Sequence, residues 1–146
     1  MISFKQYITE NFLPPKQGST GGAPTKWKKG TNIIKTKMTL DEILNSKDII
    51  QSTIPYYKDV IEDWDNKKYT WNVFKQVLKY AKFMKNHSES LKHLPPIQFV
   101  DNGLADGAHR ISAIYLLQKR LDPNNPFWKN LKLRVEFGNK EDDLER

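Results

Sequence analysis

Residues Pro96 to Leu117 restrict the folds open to this chain more than any other stretch. Pro96-Ile97-Gln98-Phe99-Val100 reads as an apolar strand. Asp101-Asn102-Gly103 follows as a hairpin signal, because Asn-Gly supplies the positive φ angles that a two-residue turn needs. Leu104-Ala105 returns as the second strand. Asp106-Gly107 then makes a tight turn, and a helix with an apolar face runs from His109 to about Lys119. A hairpin that feeds directly into a helix places the chain in the α/β (α+β) class, as a small mixed sheet with helices packed around it.

The same junction gathers chemistry. The first amides of a helix have no intrahelical acceptor and sit at the positive end of the helix dipole. A glycine there lets backbone approach a ligand closely, and an adjacent arginine adds a planar, always-charged fork. Gly107, Ala108, His109 and Arg110 therefore form a candidate phosphate cradle. The competing description is an ordinary Asp-Gly turn carrying a solvated His and Arg. The hairpin and helix on either side favour the cradle, since a solvated loop needs no such scaffold.

The run from Leu94 to Leu117, LPPIQFVDNGLADGAHRISAIYLL, resembles the core of the ParB/sulfiredoxin-like superfamily. Asp106, Gly107, His109 and Arg110 match its Asp-Gly-x-His-Arg segment, and Ala113 falls at the small position that follows. Looser agreement extends from about Asn32 to Phe137. The resemblance implies a nucleoside triphosphate, ATP or CTP, bound with Mg²⁺. It leaves the reaction open among phosphotransferase (kinase), triphosphatase and nuclease, because one fold hosts many activities. Sulfiredoxin chemistry is set aside: Ala108 stands where that family's thiol would be, and the chain has no cysteine. A full partition protein is not expected either, since the chain ends at Arg146 without the helix-turn-helix and dimerisation domains of that family.

Within this resemblance Arg110 pairs with phosphate oxygens, and His109 donates a hydrogen bond or titrates as acid or base. Asp106 holds Mg²⁺, positions His109, or simply caps the turn. Phosphoryl transfer needs chiefly positioning and charge neutralisation, so such a cradle with Mg²⁺ suffices. A kinase or triphosphatase also needs a carboxylate to activate the nucleophile. Glu42 and Asp41, at the start of an earlier helix, are candidates whose other role is capping; Asp101 is a further option. The alternative is a non-catalytic module, DNA-binding or nucleotide-gated.

The remainder of the chain frames this unit. Residues 1–15 read as an N-terminal helical extension, with a helix over Phe4–Asn11 stopped by Pro14-Pro15. Residues 16–31 are a basic Gly/Pro-rich linker, residues 32–138 the domain, and residues 139–146 a charged tail. In the linker Lys26, Trp27, Lys28 and Lys29 combine charge with a stacking ring, a pattern that binds DNA or, more simply, a basic linker whose Trp packs locally. Asn32–Met38 reads as a strand centred on Ile33 and Ile34. Thr39 and Glu42 form a capping box for a short helix, and Pro55 opens another whose stripe is Tyr56, Val60, Ile61 and Trp64. Thr70 caps the longest helix, over about Trp71 to Lys85, with Phe74, Val77, Leu78 and Ala81 facing the core. Leu131, Leu133, Val135 and Phe137 alternate with charged residues as a half-buried strand. His87 and His93, spaced for no regular metal site, read as solvent-exposed.

A formal charge of +7 on 146 residues suits phosphate ligands, nucleic acid or acidic partners. No apolar run approaches the roughly 20 residues of a membrane span, and the N-terminus lacks a signal-peptide core. The opening string FKQYITE resembles N-terminal segments of tailed-bacteriophage proteins. These features imply a cytoplasmic protein, in the host cytoplasm if phage-encoded. Oligomeric state is not readable.

Overall fold

A computed structural model describes residues 26–27, 32–69, 71–139 and 144–145. The expected Phe4–Asn11 helix, most of the linker including Lys28 and Lys29, the Thr70 cap and most of the charged tail lie outside the described residues. The main sheet contains β2 (Ile34–Met38), β3 (Ile97–Val100), β4 (Gly103–Asp106) and β5 (Leu133–Gly138), in the order β2-β5-β3-β4. β5 runs antiparallel to β2 and parallel to β3, and β3 runs antiparallel to β4. The sheet is therefore mixed, as the sequence predicts. A separate two-stranded ribbon joins β1 (Lys26–Trp27) to β6 (Leu144–Glu145).

Five α-helices are described: α1 (Leu40–Asn45), α2 (Tyr57–Asp65), α3 (Asn72–Asn86), α4 (Ala108–Leu116) and α5 (Phe127–Asn130). Helix α4 is the crossover that carries the chain from the β3–β4 hairpin back to β5, and α2 and α3 pack beside it. Its residues Ile111, Ile114 and Leu116 are fully buried, with Phe74, Val77 and Phe99 in the same core. Burying each such side chain contributes about 1.5–3 kcal/mol. No described helix is long and apolar enough to cross a membrane.

Several boundaries differ from the sequence expectation for identifiable reasons. The hairpin turn is centred on Asp101 and Asn102, at φ 49° and 66°, and Gly103 is already the first residue of β4, opposite Val100. Asp and Asn tolerate the left-handed region, so the pair Asp101-Asn102 takes the turn one residue before Asn-Gly. Strand β2 begins at Ile34, which is an edge residue 69% exposed, and Ile33 precedes it. Helix α2 begins at Tyr57, because Tyr56 adopts φ 45° and leaves Pro55 outside the helix. Beyond Leu116 helix α4 widens into a π turn over Leu117–Leu121, closed by the Asp122 amide donating to the Leu117 carbonyl at 2.9 Å. His93 is exposed, but His87 is half-buried against Phe83, with ring centroids 4.5 Å apart.

The capping box of α1 forms as read. The Glu42 amide donates to Thr39 Oγ1 at 3.2 Å, and the Thr39 amide donates to Glu42 Oε1 at 2.9 Å. Thr39→Ala is expected to lower stability by about 1 kcal/mol, measured as a shift in urea midpoint at constant slope.

Candidate functional site

The junction between β4 and α4 is built around Gly107. Its φ of 122° is open to glycine and strained for other residues. A Cβ placed there would lie 2.6 Å from Ile97 Cδ1 and 3.1 Å from Arg110 Nη2, so both conformation and space require glycine. The first bond of the helix ladder runs from the Ile111 amide to the Gly107 carbonyl at 3.0 Å. The amides of Ala108, His109 and Arg110 precede that ladder and have no intrahelical acceptor. No side chain caps this end of α4, and no acidic residue occupies its first turn.

The structure separates the two side chains that the motif sets next to each other. Arg110 turns inward and is only 5% exposed. Its Nη2 lies 3.0 Å from Asp106 Oδ2 and donates to the Pro96 carbonyl at 3.1 Å. Asp106 also accepts the Gly107 amide. Burial pushes the Asp106 carboxyl above its usual range, while Arg110 and the Gly107 amide pull the other way without cancelling the shift. His109 points elsewhere. Its ring meets Tyr56, with centroids 5.9 Å apart, and both ring nitrogens are shut off from solvent.

Arg110 also lines a cavity of about 210 Å³. Four further cationic side chains surround it: Lys37, Lys92, Lys132 and Arg134. No carboxylate belongs to its wall. Two stand just behind it: Asp106 on Arg110, and Glu42, whose Oε1 lies 3.4 Å from Lys132 Nζ. Arg134 additionally donates to the Leu94 carbonyl. The Thr39 amide, the Thr39 hydroxyl and then Lys132 hold the Glu42 carboxyl below its usual range. Glu42 is thus committed to its cap and to one rim lysine. The cavity is smaller than the roughly 300–1,000 Å³ that takes a whole drug-sized ligand, and its size and charge suit a phosphate group.

Arg110 apart, the cationic residues of this basin escape the motif reading. They come from separate segments and meet only because β2 and β5 pair with Lys37 opposite Arg134, and because the segment before β3 runs alongside. The one signal in the sequence was the alternation of Lys132 and Arg134 with apolar neighbours, which marks a wet strand face and nothing more specific. A second cavity, of about 500 Å³, is lined by residues of mixed charge including Asp41, Lys119 and Lys129, and takes none of the motif residues.

Trp27 is tied into the fold. Its ring lies against Gly138, and its Nε1 donates to Glu136 Oε1 at 2.8 Å, the oxygen that also receives Gln98 Nε2 at 3.1 Å. Of its basic neighbours, Lys26 is placed in β1 opposite Glu145. Among the described residues no group of three or more His, Cys, Asp or Glu side chains converges on a metal position. Comparison of the chain with known protein families, with characterised proteins and with solved structures finds no match.

Proposed function

We propose that this chain is a phosphate-binding domain of the ParB/sulfiredoxin-like kind, and that its ligand is a nucleoside triphosphate, ATP or CTP. The observation that carries the reading is the basin of five cationic side chains whose wall includes the buried Arg110. Such a concentration of like charge around a small cavity is unfavourable by itself and is relieved by an anion. Arg110 Nε, buried and without an acceptor, adds a donor that a phosphate oxygen would satisfy. Of the four residues of the expected cradle only Arg110 belongs to the basin wall; Gly107, Ala108 and His109 do not line it.

The cation expected with a triphosphate, Mg²⁺, is usually held by one or two carboxylates together with the phosphates themselves. Asp106 and Glu42 are the carboxylates nearest the basin, and both already have partners. The described residues therefore do not form a resident Mg²⁺ site, and the ion would arrive on the nucleotide.

Two activities fit this site. One is nucleotide-dependent phosphoryl transfer or hydrolysis, including nuclease action, with His109 as acid or base. The other is a nucleotide-gated binding module without chemistry, and the closure of both His109 nitrogens favours it. Calorimetric titration with ATP and CTP, with and without Mg²⁺, followed by a phosphate-release assay, decides between them. Binding is expected, and the double substitution Lys37→Ala/Lys92→Ala should weaken it about tenfold, as loss of charge-assisted contacts requires. Turnover abolished by His109→Ala would establish the enzyme; binding without turnover would establish the module. Absence of binding to ATP, CTP and pyrophosphate alike would overturn the reading.

A further inference from the structure

The turn between α2 and α3 places two aromatic side chains on the surface inside a run of lysines. Tyr69 and Trp71 keep 39% and 38% of their area exposed. Neither ring hangs free. Tyr69 stacks on Phe74 at 5.3 Å and tilts against Trp64 at 5.8 Å, while its hydroxyl donates to the Trp64 carbonyl. Trp71 packs at right angles to Tyr56, with centroids 5.6 Å apart. Rings fixed in this way have already lost their rotamer freedom, so a ligand stacking on them does not bear that entropy.

Lys67, Lys68 and Lys75 are exposed around these rings, and none is in an ion pair among the described residues. Asp65, the carboxylate nearest in the chain, is taken by Arg120 through two contacts of 2.7 Å. Glu62 and Asp63 lie on the last turns of α2, so the turn is only modestly cationic and its rings are its dominant feature. A modest charge beside two rigid, half-exposed rings matches a ligand that carries both flat faces and phosphates.

The rings also lead back to the motif. Trp71 touches Tyr56, and Tyr56 touches His109 in the first turn of α4. We propose that the α2–α3 turn is a stacking site for single-stranded nucleic acid, with bases on Trp71 and Tyr69 and backbone phosphates at Lys67 and Lys68. Duplex DNA hides its base faces and does not fit. The choice of a strand over a free nucleotide rests on there being two rings, one for each of two bases, and takes from the reading above only that the chain binds phosphate.

The test is fluorescence anisotropy of a labelled oligothymidylate with the full chain, in parallel with calorimetry using ATP, CTP and pyrophosphate. Trp71→Ala should weaken oligonucleotide binding about tenfold and Trp71→Phe should retain most of it, because loss of one stacked base costs an appreciable part of the affinity. Lys67→Ala/Lys68→Ala should flatten the log–log salt dependence by about 1.4, the value for two lost single-strand phosphate contacts. Thermal melts by circular dichroism confirm that each variant is folded. Unchanged oligonucleotide affinity in Trp71→Ala overturns the platform, whatever ATP does. So does binding that is lost in Lys37→Ala/Lys92→Ala but kept in Trp71→Ala, which would confine the strand to the basin. Self-association abolished by Trp71→Ala, with oligonucleotide affinity unchanged, would mark a protein interface and overturn it as well. Trp71-dependent oligonucleotide binding without binding of ATP, CTP or pyrophosphate would uphold the platform and overturn the triphosphate reading alone.

Discussion

Arg110→Met is expected to lose about 3–5 kcal/mol of stability at neutral pH, the usual effect of leaving one member of a buried ion pair alone. Arg110 and Asp106 are both buried, and the pair is their principal compensation. The loss should depend on pH in a defined direction. Asp106 already sits above its usual value in the folded chain, and Arg110 is one of the groups holding it down. Removing Arg110 raises it further. Between the unfolded and folded values the folded chain then holds a proton that the unfolded chain has released, so stability falls as pH rises through that window. Urea denaturation at acidic pH, where the raised carboxyl is more fully protonated, should show a smaller deficit than at pH 7. The double variant Asp106→Asn/Arg110→Met should recover more than half of the neutral-pH loss, because no charge remains to be buried. A deficit that is equal at both pH values, or that Asp106→Asn fails to relieve, would mean that Arg110 acts through packing alone.

Gly107→Ala should cost about 2–6 kcal/mol. A non-glycine residue held at φ 122° carries about 1–3 kcal/mol of backbone strain, and forcing a methyl into a packed site adds about 1–3 kcal/mol. The closest obstacle is Ile97 Cδ1, which Ile97→Val removes. Ile97→Val should therefore be milder in the Gly107→Ala background than alone, and a double-mutant cycle reads that difference directly. Additive effects would show that Ile97 Cδ1 does not set the cost, leaving the backbone angle and the contacts with Arg110 Nη2 and Ile97 Cγ2. Any Gly107→Ala protein that folds should also bind phosphate more weakly, since the substitution presses on Arg110 Nη2.

The part of the molecule legible in the sequence is the part encoded locally. Period-two alternation gave β5, period 3.6 gave α3, and the Thr39–Glu42 spacing gave the α1 cap. The β-hairpin was legible but one residue out of register, because Asp101 and Asn102 can both take positive φ and compete with Asn102-Gly103. The inward turn of Arg110 was not open to the helical spacing rule, because Asp106 ends β4 and lies outside α4. Two further features of the site were beyond local reading. The ring of His109 meets Tyr56, which is distant in sequence and sits at an unusual backbone angle. The cationic basin depends on the register between β2 and β5, and no local pattern sets that pairing.

Placing β5 between β2 and β3 has a consequence for synthesis. The two earlier strands bond to β5 and not to one another. As the polypeptide emerges from the ribosome, β2 and the edge of β3 that faces away from β4 lack a partner until the segment Leu133–Gly138 clears the exit tunnel. The nascent domain therefore completes its central layer in one late event. Lys132 and Arg134 arrive with that same segment, so competence to hold an anion and completion of the sheet are reached together.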